Sequence, residues 1–224
     1  MRTVLTLTVV AVLSVPAADP TKWTVKAVTA PPPKEVREAI RSLLTDQALQ
    51  VVDEQGKLVG EFWLRKEVPV KASAADLKKG LAYRDIEQTT LFGVVRFPNG
   101  WSDFRKQKVK PGVYTLRLAF QPMDGDHMGT APFNEFLLLS PAAVDVKPDL
   151  MEFKALFEMS CKAAAGSHAA ILLLYPNDTP APQPQLAAKE GNLLVLNTRA
   201  QLSADGQKAD LGLGLVVEGK TTAE

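Results

Sequence analysis

ALQVVDEQGKLVGEFWL, residues 48–64 of a 224-residue chain, is the segment that decides the fold class. Two apolar runs, Ala48–Asp53 and Leu58–Leu64, are rich in β-prone residues. The polar turn Glu54–Lys57 separates them, and its Gly56 tolerates a positive φ. This spacing is typical of an antiparallel hairpin. The hairpin is therefore the first expected element of a β-rich fold.

Other segments have the alternation or the β-branched and aromatic content of strands. They are Thr21–Val28, Thr90–Phe97, Val113–Phe120, Phe133–Ser140, Ala169–Tyr175, Leu193–Thr198 and Leu211–Val217. Pro98-Asn99-Gly100 marks a turn after the second of these, and Asp205-Gly206 lies in the turn between the last two. Short strands at this spacing predict an antiparallel sheet.

Helical periodicity is confined to two places. Lys34–Leu44 has apolar residues at helical spacing, which predicts a short amphipathic helix. Leu150–Ala165 has Leu150, Phe153, Leu156, Phe157 and Cys161 at the same spacing, and Asp149 is its candidate N-cap. We therefore expect one or two short helices.

Several short strands without βαβ alternation predict a mainly β fold, an antiparallel Ig-like β-sandwich. The segment 176–188 is rich in proline and cannot hold a central strand. Since only about forty residues follow Pro184, which is few for an independent domain, we expect a loop there and a single domain over residues 18–224.

The N-terminus has the features of a secretory signal peptide, residues 1–17. Arg2 supplies a positive charge, Thr3–Val15 is apolar and uncharged, and Val15-Pro16-Ala17 offers small residues for cleavage. The run is too short for a stable membrane span. We expect an exported protein, periplasmic or extracellular, that begins at Ala18 or Asp19, with an uncleaved signal anchor as the alternative.

The charge balance limits the classes of binding partner, and the cysteine content limits disulfide formation. The chain has 26 Lys+Arg and 25 Asp+Glu, and removal of Arg2 leaves them balanced. A nucleic-acid or anionic-lipid partner usually requires a basic excess, so neither is expected. Cys161 is the one cysteine, so no intrachain disulfide can form. No integral membrane segment is expected after signal cleavage.

Two segments resemble a known family. VDEQGKLV, residues 52–59, is similar to the first hairpin of carboxypeptidase-regulatory-like and related transthyretin-like modules. VKPGVYTL, residues 109–116, is similar to their proline-glycine-x-tyrosine strand entry. The resemblance implies a secreted, non-catalytic, Ig-like sandwich.

A metal site is one functional hypothesis. Asp124, Asp126 and His127 lie between Met123 and Met128. Carboxylates suit calcium, imidazole suits zinc or copper, and thioethers suit reduced copper, so the mixture selects no single ion. The alternative is a solvated loop in which Asp and Gly set the turns.

A ligand-binding surface is the second hypothesis. Trp101, Asp103 and Arg105 follow the Pro98-Asn99-Gly100 turn. An exposed ring stacks on a sugar face, and carboxylate and guanidinium groups bind its hydroxyls. The alternative is that the aromatic rings cap the core. Lys106, Lys108 and Lys110 alternate along the same segment, as in solvated edge protection.

The sequence contains only weak indications of a catalytic site. Cys161 and His168 would suit a nucleophilic pair, but Cys161 lies on the expected buried face of a helix, where cysteine is usually a core residue. The sequence has no nucleophile elbow, no His-Glu-x-x-His helix and no phosphate-binding glycine loop, so we expect no cofactor. A hydrolase would need a carboxylate pair that only the fold brings together.

These observations favour a secreted, non-catalytic binding module of the cell envelope, with a glycan or protein ligand near Trp101–Arg105. The alternative is a metal-binding protein that uses the Met123–Met128 loop.

Overall fold

The structure is a computed structural model that describes residues 22–121, 131–164 and 168–221. The expected signal peptide and the metal-loop residues Asp124, Asp126 and His127 lie outside these ranges. None of the helices in these described ranges has the length and the apolar character of a transmembrane segment.

The chain is mainly β with short helices, as the sequence predicted. The helices are α1 (Glu38–Arg41), α2 (Ala74–Lys79) and α3 (Phe153–Cys161), with a 3₁₀ turn at Tyr83–Asp85. The strands are β1 (Thr24–Thr29), β2 (Gln47–Val52), β3 (Leu58–Leu64), β4 (Val68–Pro69), β5 (Leu91–Phe97), β6 (Trp101–Ser102), β7 (Lys108–Val109), β8 (Gly112–Phe120), β9 (Glu135–Pro141), β10 (Ile171–Tyr175), β11 (Gln185–Lys189), β12 (Leu193–Ala204) and β13 (Gln207–Glu218).

Hydrogen bonding links most described strands into one antiparallel path in the order β1-β2-β3-β5-β8-β9-β10-β13-β12-β11. Strand β10 pairs with β9 on one side and with β13 on the other, so it joins the two halves of the path. Strand β4 pairs in parallel with β12, and β6 and β7 form a separate hairpin.

The two halves of the sheet face each other across the main core, which makes the fold sandwich-like. One half contributes Phe62, Val95 and Leu116 to this core, and the other contributes Leu196 and Leu213. Successive residues of a strand point to opposite faces, so these side chains are the inward members of their strands.

The ends of the path, β1 and β11, approach each other. Cα atoms of the two strands come within 8 Å, yet no ladder hydrogen bonds join them. We call the space between them the seam.

The hairpin of β2 and β3 forms where the sequence predicted it. Gly56 has φ 77° in the turn. The Oδ1 atom of Asp53 accepts hydrogen bonds from the backbone N–H groups of Gln55, at 3.0 Å, and of Lys57, at 2.8 Å. This Asx-type geometry closes the turn and fixes the register of Val52 opposite Leu58.

A second, smaller core covers the outer face of β3 and β5. Ile40 of α1 and Val36 pack there against Trp63 and Val94, and the indole Nε1 of Trp63 donates to the carbonyl of Ala30 at 2.9 Å. The helix predicted over Lys34–Leu44 is shorter than expected, because only Glu38–Arg41 is helical.

The outer face of β8 holds a buried ion pair. Arg117 and Asp145 are 0% and 1% exposed, and the hydroxyl of Thr115 donates to Asp145 Oδ2 at 2.5 Å. Arg117 Nη1 also donates to the carbonyls of Thr89, at 2.8 Å, and of Asp149, at 3.0 Å. These bonds fasten the segment after β9 to the sheet.

Two sequence predictions near this segment were wrong in detail. Asp149 is not the N-cap of α3, because its carbonyl accepts from Arg117 and the helix begins at Phe153 after Glu152. The predicted loop 176–188 ends earlier, because β11 starts at Gln185 and lies at the edge of the path. An edge strand tolerates the prolines that precede it.

Candidate functional site

Trp101, Asp103 and Arg105, the candidate ligand-binding residues, lie in the hairpin of β6 and β7. The ring of Trp101 stacks on Phe97 with centroids 4.9 Å apart, and its Nε1 donates to the carbonyl of Val217 at 3.0 Å. The indole therefore fastens the hairpin to the core. This contact matches the alternative that we gave for the aromatic rings.

Asp103 is 0% exposed, which differs from the expected surface carboxylate. Its Oδ1 accepts from the backbone N–H of Gln107 at 2.8 Å, and its Oδ2 accepts from the Gln107 side chain at 3.0 Å. The N–H of Ile171 donates to the same oxygen at 3.4 Å. The carboxylate thus holds the hairpin turn together and is not accessible to a ligand hydroxyl.

Arg105 ties the hairpin to the segment before β10. Its Nη2 donates to the carbonyl of Ala169 and lies 3.9 Å from Asp103 Oδ2, while its Nε is buried without a partner. Burial raises the pKa of Asp103, against the effect of the Gln107 hydrogen bonds and the Arg105 charge. Burial likewise lowers the pKa of Arg105.

Cys161 and His168 were the candidates for a nucleophilic pair. Cys161 ends α3 and is only partly buried, which corrects the expected buried position. Burial raises the pKa of its thiol, against the influence of Arg105, so the nucleophilic thiolate is disfavoured. His168 is exposed. The described residues contain no group of three or more His, Cys, Asp or Glu side chains that could hold a metal ion.

A cleft of about 460 Å³ opens at the seam. Gln47 and Leu49 of β2 and Thr198 and Gln201 of β12 lie on its walls. Three of its charged groups have partners, because Arg199 pairs with Asp210 at 2.8 Å and Lys66 donates to the carbonyl of Ser42 at 2.9 Å. Arg65 also borders this cleft.

A second cleft, of about 510 Å³, adjoins Tyr83. The Tyr83 hydroxyl is buried and donates toward the carbonyls of Tyr175 and Gly212, each at 3.1 Å, and accepts from the N–H of Gly214 at 3.0 Å. Burial raises the pKa of this hydroxyl, against the effect of the hydrogen bond from Gly214. The hydroxyl is therefore a structural contact.

A third cleft, of about 330 Å³, is lined by Arg65 together with apolar residues, and the buried Nε of Arg65 has no hydrogen-bond partner among the described residues. We call it the Arg65 cleft and define it by residues that line it: Arg65, Pro69, Thr90, Pro148, Asp149 and Leu150. Lys71 and Glu87 form an ion pair at its rim, with Nζ and Oε1 2.6 Å apart.

The backbone holds Arg65 in place. Its N–H donates to the carbonyl of Phe92 at 2.8 Å, and it forms an isolated bridge with Leu44. By the alternation of a strand, Arg65 follows Trp63 onto the outer face, where Arg117 also lies.

The guanidinium of Arg65 has no intramolecular partner among the described residues. Its Nε is buried and makes no hydrogen bond, and no carboxylate of the described chain forms an ion pair with it. Burial and the charge of Arg117 lower its pKa, and the nearby charge of Asp149 opposes that effect. Arginine nonetheless stays protonated in proteins, so the cleft keeps a partly buried positive charge.

A buried donor without a partner costs about 1–3 kcal/mol, and more when it is charged. The same outer face shows the contrast, since Arg117 satisfies its guanidinium with Asp145 and backbone carbonyls. Sequence reasoning missed Arg65, because an arginine at the end of an apolar strand carries no local signal of its missing partner.

Comparison of the chain with models of protein families, with curated proteins and with solved structures gives no match. Function is therefore inferred from the geometry of the molecule.

Proposed function

We propose that the chain is an exported, non-catalytic binding module of the cell envelope that holds a glycan or protein ligand in the Arg65 cleft. One observation carries the proposal: Arg65 presents an unpaired, partly buried guanidinium to an open cleft. A ligand that accepts hydrogen bonds from the Nη groups of Arg65 would stabilise this partly buried charge.

The cleft has the composition of a binding site. Pro69, Pro148 and Leu150 supply apolar surface, and the side chain of Arg65 supplies one directional polar contact. Binding pockets commonly combine apolar walls with a few polar groups that fix orientation. The expected site at Trp101 is less suitable, because Trp101 and Asp103 are engaged within the protein.

The proposal is tested by NMR of the isotope-labelled chain with defined oligosaccharides, neutral and acidic, and with short peptides. We expect saturable shift changes at Arg65, Thr90 and Leu150 with at least one probe, and a probe that is chemically unchanged after incubation. Shift changes confined to Trp101 and Arg105, or none with any probe, would overturn the assignment.

A matched pair of variants makes the test specific. Arg65→Gln should abolish the shift changes, whereas Arg84→Gln should preserve them, because Arg84 is exposed and lies away from the Arg65 cleft. Both variants lose one positive charge, so a general charge effect would alter them equally.

Export is tested separately by the mass of the mature chain recovered from outside the cytoplasm. A mass that lacks residues 1–17 is expected. Recovery of the full-length chain in the cytoplasm alone would contradict export.

A further inference from the structure

We infer that the Arg65 cleft recognises the free α-carboxylate of a peptide chain that ends in an aliphatic residue. This inference rests on the proposed function and names the ligand class of the same site. A carboxylate offers the planar pair of acceptor oxygens that a guanidinium binds with two parallel hydrogen bonds.

The first argument is charge. Arg65 is unpaired, Lys71 at the rim is neutralised by Glu87, and Asp149 is exposed and forms no ion pair among the described residues. Among the described residues, therefore, no negative group contacts the guanidinium of Arg65. A ligand carboxylate supplies that group.

The second argument is the shape and polarity of the walls. The apolar residues that line the cleft are all aliphatic, namely Pro69, Val70, Leu91, Pro148 and Leu150, and no residue that lines it is aromatic. Sugar faces are usually held by stacked rings, so these walls favour an aliphatic side chain over a sugar. A volume of about 330 Å³ suits a terminal residue and part of its neighbour.

The third argument is an exposed apolar side chain at the cleft itself. Among the described residues the exposed large hydrophobic side chains are Val144, Leu150 and Phe157, and all three belong to the segment 144–157. Leu150 is 48% exposed at the cleft itself. Leu150 is therefore available for contact with an aliphatic side chain of the ligand.

A substitution at Asp149 tests the inference, because the direction of its effect on ligand affinity can be predicted. Its negative charge acts on Arg65 without an ion pair, so it repels an incoming carboxylate. Its carbonyl, which accepts from Arg117, is unaffected by a change of side chain. Asp149→Asn should therefore tighten binding of a carboxylate, whereas Arg65→Gln should weaken it.

The experiment uses an N-acetylated tripeptide of two alanines and a leucine, as the free acid and as the C-terminal amide. We expect the full chain to bind the acid at least about tenfold more tightly than the amide, as for one charge-assisted hydrogen-bonded contact. Arg65→Gln should remove that preference, and Asp149→Asn should increase affinity for the acid several-fold. Leu150→Ala should weaken acid and amide equally.

Equal affinity for acid and amide, or an unchanged preference in Arg65→Gln, would overturn the inference. If oligosaccharides alone perturb the cleft in an Arg65-dependent way, the carboxylate inference fails and the proposed function stands. If no probe perturbs the cleft, both fail. Arg65→Gln is expected to fold, since its side chain has no intramolecular partner among the described residues to lose, and its thermal midpoint verifies this.

Discussion

Arg117 and Asp145 form a bidentate ion pair that is closed off from solvent. Nε lies 2.7 Å from Oδ2, and Nη2 lies 3.0 Å from Oδ1. Burial of two charges is costly unless each is fully hydrogen-bonded, and here backbone carbonyls satisfy the remaining donors. The pair is therefore sensitive to the loss of either partner.

Arg117→Met should lower the free energy of unfolding by about 3–5 kcal/mol, because it leaves the Asp145 carboxylate buried and unpaired. Urea denaturation measures the change. Arg199→Met is the control, since the Arg199–Asp210 pair is largely exposed, with side chains 50% and 34% accessible, and should cost less than about 1 kcal/mol. A comparable loss in both variants would argue against the buried pair as the cause.

Tyr83→Phe should lower the free energy of unfolding by about 1–3 kcal/mol, because the buried N–H of Gly214 loses its acceptor. The same substitution at Tyr114 is the comparison. That hydroxyl donates only to the carbonyl of Lys110, at 2.7 Å, and is partly buried, so a smaller loss of about 1 kcal/mol is expected. Thermal denaturation of the two variants gives the ranking, and the reverse order would be inconsistent with the described bonds.

The raised pKa of Asp103 makes stability depend on pH. The folded state binds the proton more tightly than the unfolded state, so the contribution of this group is fully present below its unfolded pKa of 3.8. It is lost as pH rises through the higher folded pKa. The parent chain should therefore lose stability relative to Asp103→Asn over that window. Urea midpoints of both, taken between about pH 3 and 7, measure the difference, and a constant difference would contradict the shift.

Trp101→Ala should destabilise the protein by about 3 kcal/mol through loss of the stacking on Phe97 and of the indole hydrogen bond. Because the Arg65 cleft shares no lining residue with this hairpin, the milder Trp101→Phe should leave binding of the acid tripeptide unchanged. Calorimetric titration checks the second outcome. Loss of binding in Trp101→Phe, in a folded variant, would move the ligand site back to the hairpin.

The larger strands could be predicted because their signals are local. Leu58–Leu64 and Val113–Phe120 combine apolar content with adjoining turn residues, and both are strands within a residue of the predicted bounds. Strands β4, β6 and β7 have two residues each, which is too short to show an alternation of apolar and polar residues. Helix α2, which Ser73 caps by accepting from the N–H of Asp76, was also missed.

Less of the candidate site than of the fold could be predicted from the sequence. An arginine inside the apolar run of β8 indicates a buried partner, but nothing in the sequence names Asp145, which lies 28 residues away. Arg65 was identified because its Nε has no hydrogen-bond partner among the described residues of the folded chain. The local sequence does not show whether such a partner exists. Trp101, Asp103 and Arg105 were predicted to form a ligand-binding surface, but the sequence did not indicate that Asp103 is buried and that Trp101 and Asp103 are hydrogen-bonded within the protein.

The approach of β1 to β11 also bears on how this protein behaves at high concentration. An open strand edge is a template on which another molecule can add its own strand, and long sheets are prone to such aggregation. Here each terminal strand occupies the space beside the other's open edge, and Pro182 and Pro184 precede β11 without an N–H to offer. The open edges of β1 and β11 therefore lie beside each other, so that neither edge is freely available for strand addition by a neighbouring molecule.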